Sequence, residues 1–179
     1  EQYLNGLCGL EMLETCTKKW HAMKVDSISL RDYLGLTEQE YDAYLQTDPG
    51  VSFQELLDSQ RKTQRFRVYQ LDLEHGETRA FAFGGIDALH KAGFQQPPAA
   101  EYTLVYDGEL ICPVGQDERD ILERIFARYN QALPPDYHGR SIAPSDVLEL
   151  YDESERRYFY CDMAGFLQVK FSPALAKKA

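Results

Sequence analysis

His138 is the residue whose neighbours best suit proton transfer. It stands in Asp136-Tyr137-His138-Gly139-Arg140, with Ser141 and Ser145 just beyond. An imidazole titrates near neutral pH, and a nearby carboxylate and guanidinium could tune it for acid–base work. Hydrolysis would also need a nucleophile held in a word such as Gly-x-Ser-x-Gly, and the chain has none. Ser141 and Ser145 therefore read as turn formers, and the cluster as a structural turn. Cys161-Asp162 is a second candidate. A reactive thiol needs nearby positive charge, which here comes only from Arg156 and Arg157. Cys161 reads better as a small buried hydrophobe. Gly84-Gly85 and the stretch Gly108 to Gly115 carry neither a GxGxxG word nor a Walker lysine, so no nucleotide cofactor is expected. His21, His75, His90 and His138 stand apart, and Cys8, Cys16, Cys112 and Cys161 form no C-x-x-C. No metal is expected.

Composition narrows the classes. The chain has 179 residues, 44% of them apolar, with 12 tyrosines and 9 phenylalanines. That is enough for a packed core and too apolar for a disordered chain. The net charge of −10 disfavours a nucleic-acid binder, because such proteins gain affinity by neutralising phosphates. Scattered single cysteines suit a reducing cytoplasm. No apolar run reaches the roughly 20 residues that a spanning helix needs, and no signal-peptide pattern is present. A chain that begins at Glu1 rather than Met reads as a piece of a longer protein.

The elements that would position these residues fall into two regions. Residues 1–60 read as a helical module. Leu4, Leu7, Cys8, Met12 and Cys16 approach helical spacing over Glu1 to Met23. Ser29 is an N-cap for a helix Leu30 to Leu34 that Gly35 ends. Thr37 with Glu40 makes a capping box for a helix reaching Leu45. Asp48-Pro49-Gly50 is a turn, and Ser52 with Glu55 repeats the box. Short helices on short turns resemble a DNA-reading motif, yet Glu38, Glu40 and Asp42 stand where such a helix needs donors to the bases. Residues 61–65 read as a basic connector.

From Phe66 the apolar period becomes two. A hairpin is expected from Phe66–Leu71 through His75-Gly76 to Arg79–Phe83. Ile86 to Ala92 reads as a short helix closed by Gly93. A strand Tyr102–Tyr106 should turn at Asp107-Gly108. Asp117 caps a helix to Asn130 whose Ile121, Leu122, Ile125, Phe126 and Tyr129 share one face. Pro134-Pro135 and Asp136 to Gly139 form a turn in which Gly139 is free to take a positive φ. Val147–Tyr151 and Tyr158–Cys161 make a second hairpin across the charged stretch Asp152–Arg157. Gly165, also expected at positive φ, leads into a last strand ending at Phe171. The fold class is α+β: a small antiparallel sheet of hairpins covered by one amphipathic helix, preceded by a separate short-helix region. Residues 172–179 read as a tail.

The words P-x-D-Y-x-G-R-S-I-x-x-S-D-V-L-x-L, Y-x-Y-C-D and G-F-x-x-V recur in one known pattern. FRVYQLD from Phe66, EYTLVYDGEL from Glu101 and ILERIFARYN from Ile121 fit it too. In these words Phe66 to Phe171 resembles the YodL-like domain family, found in Firmicute bacteria and often carried on their mobile elements. The resemblance implies an intracellular bacterial domain with no established catalysis, and supplies no catalytic residues. The leading reading is a non-enzymatic module that binds a protein partner. Its candidate surface comprises Tyr137, His138, Arg140, Tyr158, Tyr160 and Phe166. An acidic decoy that mimics DNA is the second reading, and an enzyme using the His138 region the third.

Overall fold

The computed structural model describes residues 1–23, 28–45, 53–73 and 77–179. The Asp48-Pro49-Gly50 turn, the Ser52 cap and the His75-Gly76 turn lie outside the described residues. The chain divides into two units, 1–63 with 111–115, and 64–110 with 116–179.

The first unit carries four helices: α1 (Glu11–Ala22), α2 (Leu30–Leu34), α3 (Glu38–Leu45) and α4 (Phe53–Ser59). The helix expected from Glu1 begins only at Glu11. Gly6 takes a φ of +66°, and the Gly6 and Leu7 amides donate back to the Tyr3 and Gln2 carbonyls, closing a separate turn. The caps expected at Ser29 and Thr37 form. Ser29 accepts from the Asp32 N–H, and Gly35 ends α2 at φ +67°. The Thr37 N–H donates to Glu40 Oε2 at 2.7 Å, while the Glu40 N–H donates to Thr37 Oγ1 at 3.2 Å.

The second unit is built on a sheet. Its strands are β1 (Arg61–Leu71) and β2 (Tyr102–Pro113), whose ends 61–63 and 111–113 fall in the first unit, with β3 (Val147–Tyr151), β4 (Arg156–Asp162), β5 (Gly165–Val169) and β6 (Lys177–Lys178). They lie in the order β5-β4-β3-β1-β2-β6. β3 pairs antiparallel with both β1 and β4, and β4 with β5, so the expected β3–β4 hairpin is present. β6 runs parallel to β2, which makes the sheet mixed.

Four expectations need correction. Arg61 to Arg65 is strand rather than connector. Its cations find carboxylates, Arg61 on Asp58 and Arg65 on Glu109, so the charge is compatible with an extended chain. Arg79–Phe83 is no return strand. β1 already has β3 on one side and β2 on the other, which leaves no edge to join. Thr78–Ala80 instead forms a short 3-10 turn, anchored by the Thr78 hydroxyl donating to the Asp72 carbonyl at 2.7 Å. Asp107-Gly108 does not turn. β2 runs straight through, because Asp107 is held by Arg67 on the adjacent β1 and by Tyr151 on β3 beyond it. Residues 172–179 are not a plain tail, since they supply a 3-10 turn and β6.

Side-chain alternation gives the sheet two apolar faces. On one, Phe66 and Val68 of β1 lie opposite Leu150 and Leu148 of β3. Helix α6 (Glu118–Gln131), capped by Asp117, covers this face with buried Ile121, Leu122, Ile125 and Tyr129. Tyr129 meets Phe66 edge-on at 5.2 Å. On the other face Tyr69, Val147 and Tyr160 pack with Phe81, Leu89, Tyr102 and Phe171. That cover comes from α5 (Ile86–Lys91) and the loops beside it, so one helix does not cover the sheet alone. Each fully buried large apolar side chain contributes about 1.5–3 kcal/mol.

Gly165 opens β5 at φ +103°, with nothing within 4 Å of where a Cβ would stand. Only the backbone conformation requires glycine here. Gly165→Val is expected to cost about 1–3 kcal/mol in a urea melt. A variant as stable as the parent would show that the β4–β5 turn relaxes freely.

Candidate functional site

The loop from Pro134 to Asp146 delivers a carboxylate into the interior. Asp146 is fully buried, and Arg140 grips both of its oxygens, at 2.6 and 2.8 Å. Asp146 Oδ2 also accepts from the Ala143 N–H at 2.9 Å and from Gln70 Nε2 at 3.1 Å. Gln70, on β1, closes the ring: its Oε1 accepts the Arg140 N–H at 2.9 Å, and its Nε2 donates to the Arg140 carbonyl at 2.9 Å. Burial pushes the Asp146 carboxyl up from the usual carboxylate range, against the downward pull of Arg140.

Ser145 beside it is buried at φ +79°, rare for a residue with a Cβ. Three bonds hold it there. Its N–H donates to the Cys161 carbonyl, its carbonyl accepts from the Tyr102 hydroxyl at 2.8 Å, and its Oγ accepts from the Phe83 N–H at 3.1 Å. Phe83 is itself at φ +58°, with Arg140 stacked over its ring at 4.8 Å. Ser145 reads in sequence as a turn former, and a turn former bonds nearby main chain. Asp146 does so, whereas Ser145 reaches across to distant segments.

A second buried carboxylate, Glu149, sits on the Tyr69 face of β3. Tyr69 donates to it at 2.7 Å and Arg156 at 2.9 Å, with the Tyr158 hydroxyl at 3.4 Å and Arg67 at 3.6 Å. Burial, then the hydrogen bond to Glu149, raises the Tyr69 phenol above its usual range. Arg67 also pairs with Asp107 at 2.8 Å and lies over the Tyr151 ring.

The six expected surface residues do not form one surface. Tyr137 is buried, stacked on Tyr106 at 5.3 Å. Tyr160 is buried, and its hydroxyl donates to the Gly84 carbonyl at 3.0 Å. Tyr158 is half-buried beside Glu149, and Arg140 is half-buried on Asp146. Phe166 is half-buried against Phe126 of α6. Of the six, His138 alone is exposed, and its main-chain N–H donates to Val105. It borders a cleft of about 480 Å³ with Asp136, Arg67, Asp107 and Lys177. Arg67 and Asp107 are bound to each other there, and Lys177 to Asp72. Gly139 does not take a positive φ. It is glycine because a Cβ would come within 2.3 Å of Gln70 Oε1.

Cys161 is buried, and desolvation, then the Asp146 charge, raises its thiol well above the ordinary range. A thiol so placed stays protonated and inert. Among the described residues no group of three His, Cys, Asp or Glu could hold a metal ion. Sequence reasoning missed Gln70, Asp107 and Glu149. The available signal was an acid inside an apolar strand, Val-Leu-Glu-Leu-Tyr, which demands cations on neighbouring strands.

An open edge lies at the sheet's end. β5 ends the strand order, with Leu167 41% and Met163 70% exposed. Beside it a groove of about 300 Å³ is lined by Phe126, Pro144, Met163 and Phe166, with Glu123 and Asp162 among its walls. Among the described residues no helix is long and apolar enough to cross a membrane. The model of the YodL-like domain family matches residues 65–171. No curated protein and no solved structure matches the chain.

Two measurements check the buried groups. Arg140→Met strands a buried carboxylate and should cost about 3–5 kcal/mol in urea. Asp146→Asn leaves Arg140, 28% exposed, able to turn toward water, and should cost about 1–3 kcal/mol. The reverse order would show that Asp146 is not held as an ion. Burial also raises the phenols of Tyr69, Tyr102, Tyr129, Tyr137 and Tyr160. The folded chain therefore holds these protons more tightly than the unfolded one. Their contribution is fully present below about pH 10 and is lost as pH rises beyond it. In an alkaline titration their tyrosinate absorbance should appear only together with unfolding.

Proposed function

From the premise that this chain belongs to the YodL-like domain family, shown over residues 65–171, we propose that it is a protein-interaction module that acts by binding rather than by turnover. The observation that carries this reading is the open edge of β5: Met163, exposed in the β4–β5 turn, lines the Phe126–Phe166 groove on the α6 side, and Leu167 is exposed on the opposite face. Contiguous exposed apolar surface beside polar residues marks interaction sites. The charged groups around the candidate site support the same reading. Arg140 is spent on Asp146, and Arg67 on Asp107 and Glu149. On the outer side of α6, Arg119 pairs with Glu123 and Arg128 follows. Mixed signs of this kind favour a docking module over a DNA-mimicking decoy.

We infer a bacterial cytoplasmic setting on or near a mobile element. The four free cysteines suit a reducing compartment, and the family resemblance suggests the host and the element. The test is capture from an extract of the native cells by immobilised full-length chain, read by mass spectrometry. A partner retained by the parent and lost with Leu167→Lys is expected. Retention identical for both would reject the β5 side as the binding surface.

A further inference from the structure

The β5 edge can be read residue by residue. The Cys161 N–H donates to the Asp146 carbonyl at 2.8 Å, and the Cys161 carbonyl accepts from Ser145 at 2.9 Å. Both main-chain groups of Cys161 thus face β3. Its cross-strand neighbour on β5 is Phe166. In an antiparallel ladder hydrogen-bonded and non-bonded pairs alternate, so Phe166 turns its own N–H and C=O away from β4. By the same period Gln168 does too. Lys170 shares that direction, and its N–H is closed by Gln96 Oε1 at 2.6 Å. Phe166 and Gln168 therefore offer a short row of donors and acceptors at the open edge. Natural edges are commonly blocked by charge, proline or a bulge. β5, reading Gly-Phe-Leu-Gln-Val, has no charge and no proline.

We propose that this edge pairs with the β5 edge of a second copy of the chain, antiparallel about a two-fold axis at Leu167. The proposal rests on the interaction reading above and names the partner. The register is self-complementary. Phe166 lies opposite Gln168 of the second copy, and each such pair exchanges both main-chain hydrogen bonds. Leu167 meets its own counterpart at the central, non-bonded position, where side chains come closest. Charge fits the same register. Lys170 of one copy is carried opposite Ala164 of the other, on the side of the sheet that α6 covers. Glu123, which pairs with Arg119 in its own chain, lines the groove there beside Gly165 and Phe166. Five residues per copy make a small interface, so association is weak and reversible.

Sedimentation equilibrium of the full chain, from about 5 µM to about 1 mM, tests this in the range of weak interfaces. The mass should rise from 20.6 kDa toward twice that value. Leu167→Lys, which places two cations on the axis, should weaken dimerisation at least tenfold. Lys170→Glu should weaken it, and adding Glu123→Lys should restore it. Amide exchange at Phe166 and Gln168 should slow as the dimer forms. A single monomer mass throughout, or a dimer indifferent to Leu167→Lys and Lys170→Glu, overturns the proposal. If the chain stays monomeric while Leu167→Lys still abolishes capture from extract, the edge serves a different protein and only self-pairing falls. If the chain dimerises as described while capture is indifferent to Leu167→Lys, self-pairing stands and only the extract partner is lost from this edge.

Discussion

The second unit depends on keeping one ion, Asp146, out of water. A buried carboxylate costs several kcal/mol unless its charge and its lone pairs are answered. Arg140 answers the charge, while Gln70 and the Ala143 amide take part of the rest. Because Gln70 lies on β1, satisfying Asp146 also fixes the loop against the centre of the sheet. The same loop carries Ser145, whose left-handed backbone is held by bonds to three other segments. Strain at Ser145 and burial at Asp146 are thus endured together, and each is tolerable only because the other partners are in place.

Glu149 repeats the theme on the opposite face of the sheet. Alternation along β3 sends Leu148 and Leu150 toward α6, and Val147 and Glu149 toward Tyr69. An acid in that second row must recruit donors from neighbouring strands, and Tyr69, Arg156 and Tyr158 supply them. Polar groups so engaged favour register over reactivity. A one-residue slip of β3 would leave Glu149 among the apolar residues under α6.

The proposed function rests on surface. β1 and β3 are flanked on both sides, and residues 172–179 add β6 at the β2 end. At β5 unprotected main chain coincides with the exposed Leu167. On the proposed reading, recognition falls to the β5 edge, whose outward hydrogen bonds are still to be made.

Local elements were legible because their causes are local. The Thr37–Glu40 box, the Asp117 cap, the apolar face of α6, the β3–β4 hairpin and the left-handed Gly165 all depend on residues a few positions apart. The α+β class followed from the change of period at Phe66, and the family from words inside that region. Other features were settled only by tertiary contacts. Asp107-Gly108 has the composition of a turn, yet it continues as strand because Arg67 and Tyr151 hold Asp107. Arg79–Phe83 has the pattern of a strand, yet β1 had no free edge to receive it. Gly139 was expected for its φ, and is required instead by the approach of Gln70. Tyr137 lies between the polar Asp136 and His138, and Tyr160 in an aromatic run that alternates across both strand faces, so both read as candidate surface. They are buried because their partners, Tyr106 and the Gly84 carbonyl, come from far along the chain. Sequence by itself determined propensity, caps and period. Burial, strand order and the answering of charge were decided by the folded chain, because each depends on groups that only folding brings together.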